Sequence, residues 1–595
     1  MLFATLFVLA VTLIPKFTSA EEKIKTPSYK WPPPSYSYMA KYAKAAVTSD
    51  HGICSEFGRN ILLRGGNAAD ASIASLFCLG ITNPQSSGLG GGFIMTLYNR
   101  TTKRCYVVDA RETAPGKAHR DMFLNDETGS KYGYRAMAVP GELSGYWLVY
   151  KKFGSGKVPW YDLVKPAIDL ARNGVPVSEY LAHVFTVKER HFRSFSSMNG
   201  WINEKTNRTY VAGDLIKRLE LANALEEIAK SDDPEELFYR GKMAKTIVEE
   251  IQANGGIMTI EDMANFKAKL YEHPLVNDHF ADDLAMCGPP PPGSFAVTQL
   301  IVDMMARFYG PLSDKSILSS DPEFYHRFIE AQKFAYAQRT LMGDEAFVES
   351  ARILAEKMTT KNYADEIFKK FRSRAQDSAY YGGVNQTLPP DHGTSHVSVL
   401  DEYGNGVSGT TTVNRWFGAS VQSDKYGIVW NDEMDDFSTP GMPNGFGFAP
   451  SETNFIEPGK KPMSSMSPIV IYKKSTGDVI IILSSIRLLR MVIGASGGSK
   501  IISALAKPIV RVLFFNETIK EAIDAPTLHN QFTPDITQFD QVPEKLLEDL
   551  EKKYGQKFKP TTGFEGIVQG IDITDHGIYV NGDYRRKADQ HPGGY

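Results

Sequence analysis

The sequence predicts an α+β protein, and three observations carry the prediction. Two apolar-periodic stretches lie between Cys54 and Cys78, separated by Gly65-Gly66. One apolar face of Leu215, Leu219, Ala222, Leu225 and Ile228 follows Asp214, and strand-like alternation runs on both sides of Gly404-Asn405-Gly406. Hydrophobic residues make up 42% of the 595 and charged residues 23%, enough for a sizeable core. The length admits several domains or one large unit. A formal net charge of -3, with no concentrated basic stripe, excludes nucleic acid as an expected partner.

Residues 2–14 are almost wholly apolar and are followed by Pro15, Lys16 and the small residues Thr18-Ser19-Ala20. This is the pattern of a secretory signal peptide over residues 1–20. The run is shorter than the roughly 20 residues that span a bilayer. The alternative is an uncleaved signal anchor, which would keep the protein on the extracellular face of the plasma membrane rather than secreted. Residues 21–36, with Pro32-Pro33-Pro34, read as an extended linker or stalk. Sequons at Asn99, Asn207, Asn385 and Asn516 fit glycosylation along the secretory route.

Cys54 begins the first helical stretch, and Asn67 caps a second, Ala-rich one that runs to Cys78. Two such helices folded back on each other bring the start of one beside the end of the other, so an oxidising compartment would join Cys54 to Cys78. Cys105 and Cys287 are left over and read as buried free thiols. Gly88 to Gly92 lacks the spacing of a phosphate loop, runs into a strand, and reads as close backbone packing. A strand from Tyr106 to Ala110 delivers Arg111, which on its own is an ordinary strand-end charge. From about Tyr161 to Ala379 the chain reads as mostly helical scaffold, interrupted at Pro289 to Pro292. Asp214 caps one helix, and Thr259 with Asp262 opens another as a capping box.

The chemistry gathers between Asp391 and Phe437. After a Gly-, Asn- and Pro-rich loop comes Gly393-Thr394-Ser395-His396, then alternation that puts Val397 and Val399 on one face. With Leu400 opposite Val407, Thr394 falls opposite Val413, flanked by Thr412 and Asn414; a slip of one residue would turn those side chains to the other face. Taken alone, this is a surface hairpin rich in Ser and Thr. A threonine hydroxyl is a weak nucleophile, but the freed amine of an N-terminal threonine can serve as its base, because that amine titrates near 8. Cleavage between Gly393 and Thr394 would therefore create a nucleophile that needs no triad.

The chain is similar to the gamma-glutamyltransferases, also called gamma-glutamyl transpeptidases or glutathione hydrolases. The resemblance rests on Thr394 in Gly-Thr-Ser-His, Thr410 to Asn414, Asn431 to Phe437, Pro462-Met463-Ser464-Ser465-Met466 and Gly494-Ala495-Ser496-Gly497-Gly498. Upstream it includes Asn83-Pro84, Gly88 to Gly92 and Asp109 to Pro115. It implies an N-terminal-nucleophile hydrolase with a four-layer αββα sandwich, cut by itself into a heavy chain, 37–393, and a light chain, 394–595, that remain a heterodimer. It implies the same Cys54–Cys78 pairing.

The implied reaction is acyl transfer from glutathione or another gamma-glutamyl compound, through a gamma-glutamyl ester on Thr394, to water or to an amino acid or dipeptide acceptor. Arg111, Ser464 and Ser465 would hold the donor's alpha-carboxylate, and Asn414, Glu433 and Asp436 its alpha-ammonium. Thr412 would orient Thr394, and the amides of Gly497 and Gly498 would form the oxyanion hole. No metal or organic cofactor is called for.

One stretch departs from the family pattern. Between Pro468 and Met491 the chain is longer, with the apolar run 479–483 and then Ser484 to Arg490, just before the oxyanion glycines. A badly accommodated insertion there would displace Gly497 and Gly498 and leave a secreted, catalytically impaired ligand-binding relative. A sister acylase with another acyl group is the second alternative.

Overall fold

In a computed structural model the chain is described over residues 29–126, 128–384, 393–442, 450–474, 488–561, 566–586 and 590–595. Residues 1–20, Asn385 and the apolar run 479–483 lie outside the described residues.

Two seven-stranded antiparallel sheets form the centre. The first runs in the order Ala40–Tyr42, Gly577–Gly582, Ile567–Thr574, Leu489–Ser496, Ile469–Lys473, Leu284–Gly288, Leu275–Asn277. The second runs Gly593–Gly594, Ala46–Ser49, Gly393–Leu400, Gly406–Asn414, Gly92–Asn99, Arg104–Ala110, Lys269–Tyr271. Between the sheets lie Leu400, Val470, Val492, Ile571 and Val580. Helices Gly52–Leu63, Ala68–Thr82 and Glu142–Phe153 cover the outer face of the second sheet, where Val397 and Val399 point. Helices Phe295–Phe308, Pro322–Arg339 and Ile501–Phe515 cover the first. Each sheet thus buries both faces, giving the four-layer αββα sandwich.

Local signals hold where the cap or spacing is explicit. Asn67 and Asp70 make a reciprocal capping box at the start of Ala68–Thr82, as do Thr259 and Asp262 at Ile260–Asn265. Cys54 and Cys78 are disulfide-bonded, with Cα atoms 5.3 Å apart. The glycine run packs backbone on backbone: a Cβ on Gly91 would lie 1.9 Å from Thr412 O, and one on Gly90 2.0 Å from Val429 O. Residues 29–36 pack on both halves of the chain: Tyr29 donates to Asp549, Ser35 to Asp524 and Trp31 Nε1 to Ser319 O.

Three expectations are corrected, and a fourth is borne out with an addition. Cys105 and Cys287 are not free thiols; they are bonded to each other, one from each sheet, because their strands face each other across the inter-sheet layer. Asp214 does not cap a helix. Leu215 and Ile216 pair with Val175–Pro176, leaving Leu215 exposed, and the helix Leu219–Lys230 starts later, burying Ala222, Leu225 and Ile228. The stretch from Tyr161 to Ala379 is largely helical but also contributes three strands, Lys269–Tyr271, Leu275–Asn277 and Leu284–Gly288, to the central sheets.

The hairpin register differs by one. Leu400 pairs with Gly406 and Thr394 with Thr412, after an irregularity at Gly393/Thr394. The Asp401 carboxylate causes the slip: it accepts from the amides of Tyr403 and Asn405, closing a five-residue loop.

Residues beyond Pro468 form a hairpin, Ile469–Lys473 with Leu489–Ser496, in which Lys473 N donates to Leu488 O. Gly497 and Gly498 follow the other end of the second strand. At about 3.3 Å per residue, they are on the order of 25 Å from where residues 475–487 depart. The described ends of the longer segment thus lie at one end of this strand pair, and the glycine turn at the other.

Candidate active site

The shifted register points Thr394, His396, Ser398, Thr410 and Thr412 toward the inter-sheet layer. Gly393 is confined by sterics, since a Cβ there would sit 2.3 Å from Arg415 O. Thr412 Oγ1 donates to Gly393 O at 2.7 Å and accepts from Asn414 N at 2.9 Å. Its remaining lone pair faces Thr394 Oγ1 at 3.1 Å, so Thr394 is the donor in that pair. The order of donation is thus Thr394 hydroxyl to Thr412 hydroxyl to the carbonyl of the bond preceding Thr394. His396 is not a base for this chemistry: its ring is spent on Thr410 and Ser398, and burial lowers its pKa to about 3.

Arg111, at the end of Arg104–Ala110, reaches the same cavity. Its Nη1 lies 2.6 Å from Glu433 Oε2 and 3.5 Å from Glu112 Oε2, its Nη2 meets Asp436, and its Nε donates to Pro462 O at 3.3 Å. Burial lowers the Arg111 pKa, but Glu433, Asp436 and Glu112 outweigh it and hold the guanidinium firmly charged. Conversely, burial pushes the Glu433 and Asp436 carboxyls up, and Arg111 pulls them back. An incoming ammonium would favour their ionised forms.

The acidic residues sit on a 3-10 turn, Glu433–Asp436, fixed by Asn431, whose amide donates to Gly90 O and Ala138 O and accepts from Glu433 N. Asn414, at φ +74°, donates to Asp432 O.

One cavity is lined by Arg111, Thr394, Thr412, Asn414, Asp436, Ser464, Ser465 and Gly498. Glu433 is behind it, in contact with Arg111, and Gly497 adjoins Gly498. Both glycines have positive φ, 121° and 58°, and precede helix Ile501–Phe515, whose N-terminal end favours negative charge.

Three groups carry no sequence signal. Arg339, the last residue of Pro322–Arg339, lines the cavity. Asn454 takes Met463 N and donates to Asp436 O, joining the serine and acidic turns. Arg586 donates to Thr394 O at 3.4 Å and pairs at 3.3 Å with buried Asp50, which also takes Ser496 Oγ. A lone Arg or Asp in sequence gives no hint of such long-range meetings.

A threonine at the head of a central strand, on the inner face of two antiparallel sheets between helical layers, defines an N-terminal-nucleophile hydrolase. Cephalosporin acylase from Bacillus halodurans shares this fold, with TM-score 0.78 over 95% of this chain and 98% of that chain at 21% identity. The chain belongs to the gamma-glutamyltranspeptidase family, whose model matches residues 54–593. Scoloptoxin SSD14 of Scolopendra dehaani is 38% identical over 93% of each chain. Glutathione hydrolase proenzyme 1 of Schizosaccharomyces pombe is 36% identical, covering 91% of this chain and 83% of that one. Glutathione hydrolase 5 proenzyme of Rattus norvegicus is 32% identical over 92% of each.

Proposed function

We propose that this protein is a self-cleaving gamma-glutamyltransferase that takes the gamma-glutamyl group from glutathione or its conjugates and passes it to water or to an amino acid or dipeptide. The observation that carries this reading is the donor chain from Thr394 through Thr412 to Gly393 O, in a cavity that presents charges of both signs.

In self-cleavage Thr394 Oγ1 attacks the Gly393 carbonyl carbon while Thr412 holds the carbonyl oxygen. The C–N bond breaks as the C–O bond forms, the hydroxyl proton ends on the freed amine, and water then hydrolyses the ester. In turnover that amine takes the Thr394 proton as the hydroxyl attacks the gamma-amide carbon, and returns it to the leaving amine. The amides of Gly497 and Gly498 meet the oxyanion. Arg111, Ser464 and Ser465 take the donor's carboxylate; Glu433, Asp436 and Asn414 take its ammonium.

Export belongs to the same reading. The apolar N-terminus and two disulfides, which persist in oxidising compartments, support it.

N-terminal sequencing of the denatured native protein, with an assay on a gamma-glutamyl anilide and other acyl anilides, tests the reading. A fragment beginning at Thr394 and turnover confined to the gamma-glutamyl anilide are expected. A single uncut chain or turnover of another acyl anilide overturns it.

A further inference from the structure

Arg111 is faced by three carboxylates, Glu112, Glu433 and Asp436, and its Nε, Nη1 and Nη2 atoms are all engaged by protein oxygens. By itself it offers little net positive charge to an incoming anion. The serine turn has a second guanidinium beside it, which also lines the cavity and feels the Asp436 carboxylate. Arg339, 7% exposed, donates from Nη2 to Ser465 Oγ at 3.3 Å and from Nε to Ser294 Oγ at 3.3 Å, and Ser294 Oγ in turn donates to Ser464 O at 2.5 Å.

A hydroxyl has one proton and two lone pairs, so a permanently protonated donor beside Ser465 leaves that proton to be given elsewhere. Ser464 Oγ likewise accepts from Met466 N at 3.1 Å. Neither serine proton has a protein acceptor among the described residues, and both serines line the cavity.

We propose that Arg339 is a positioning and specificity residue: by donating into Ser465 and bracing Ser464 through Ser294, it polarises the two serine hydroxyls as donors. It thereby makes this turn select ligands bearing an alpha-carboxylate next to the ammonium. The inference deepens the gamma-glutamyl reading and rests on it. The positive charge felt by the ligand carboxylate comes from the Arg339 guanidinium as well as from Arg111. The carboxylate itself touches the serines, so Arg339 acts through them.

The test is calorimetric binding of L-glutamate and of 4-aminobutanoate, which is glutamate without its alpha-carboxylate, to the wild type and to Arg339→Met and Arg339→Lys. Turnover of the gamma-glutamyl anilide is followed in parallel. Hydrogen bonds to charged groups typically amount to about 1.5–3 kcal/mol, or roughly 10- to 100-fold. Arg339→Met is therefore expected to weaken L-glutamate by that factor, to change 4-aminobutanoate less than about 3-fold, and to raise KM more than it lowers kcat. Arg339→Lys, which keeps the charge but not the fork, is expected to fall between; it decides the matter if the methionine variant does not fold. In the double variant with Ser465→Ala the two losses should not add.

Equal weakening of both ligands overturns the inference while wild-type turnover leaves the gamma-glutamyl reading standing. Lost discrimination without wild-type turnover keeps the inference and removes that reading.

Discussion

Thr412 stands directly across the sheet from Thr394, with their hydroxyl oxygens 3.1 Å apart, and its own proton is committed to the Gly393 carbonyl. One side chain therefore touches both the atom that would attack and the atom that would become negative in the proposed self-cleavage.

Thr412→Val keeps the branched shape and removes that donor. Loss of one oxyanion donor costs on the order of 100-fold or more in rate. The variant should accumulate uncut chain, followed over time on a denaturing gel, whereas Thr412→Ser should still cut. Thr394→Ala should remain uncut and inactive.

Gly494 lies against the imidazole of His396, where an added Cβ would fall 1.9 Å from Cε1. The ring is held by Thr410 and Ser398 and has no room to withdraw. Gly494→Ala should destabilise the fold by about 3 kcal/mol, the upper part of the usual overpacking range. Gly200→Ala, where nothing lies within 4 Å, should change the thermal midpoint little. Equal midpoints for the two variants would contradict the packing described.

Glu142 is fully buried and takes a hydrogen bond from Thr411, on the outer face of the hairpin that carries Thr394. Burial raises its carboxyl from 4.5 to about 7, and the hydrogen bond from Thr411 only partly offsets this. The folded chain therefore keeps a proton that the unfolded chain loses between those values. The stabilisation is complete below the unfolded pKa and is lost as pH rises toward about 7, at up to about 1.4 kcal/mol per pH unit. Thermal midpoints from pH 5 to 8 should show Glu142→Gln gaining on the wild type up to about pH 7 and holding level above it. A constant difference would mean that Glu142 is ionised throughout.

Both cysteine pairs are closed, Cys54 to Cys78 and Cys105 to Cys287. Alkylation of the denatured, unreduced protein should label no cysteine, and reduction first should expose all four. Replacing Cys105 and Cys287 together by Ser should lower stability by about 2–4 kcal/mol. A label on either of these two without reduction would restore the free-thiol reading.

The sequence reveals most where chemistry is local. Thr394, the threonine run of the facing strand, the acidic turn and the serine turn sit in short, distinctive strings, and the two capping boxes are complete within four residues. It reveals less where a side chain decides the backbone. The Asp401 carboxylate sets the hairpin loop, and the resulting shift of one residue turns Thr412 toward Thr394. Contacts between distant segments leave no local trace: Cys105 and Cys287 are 182 residues apart, and Arg586 meets Thr394 across 192. Arg339 ends a helix that is buried on nearly every side and carries several other buried polar residues, so only the packing of that helix against the serine turn shows what it touches.

The two central sheets interleave the halves that a break before Thr394 would create. In one, strands of the first half occupy both margins around four from the second; in the other, Ala46–Ser49 lies between Gly393–Leu400 and Gly593–Gly594. The two products could not drift apart without unzipping both sheets. A nick would change the covalent map of the protein and leave its mechanical continuity untouched, so the processed molecule should melt as one body and be no more prone than its precursor to come apart on dilution.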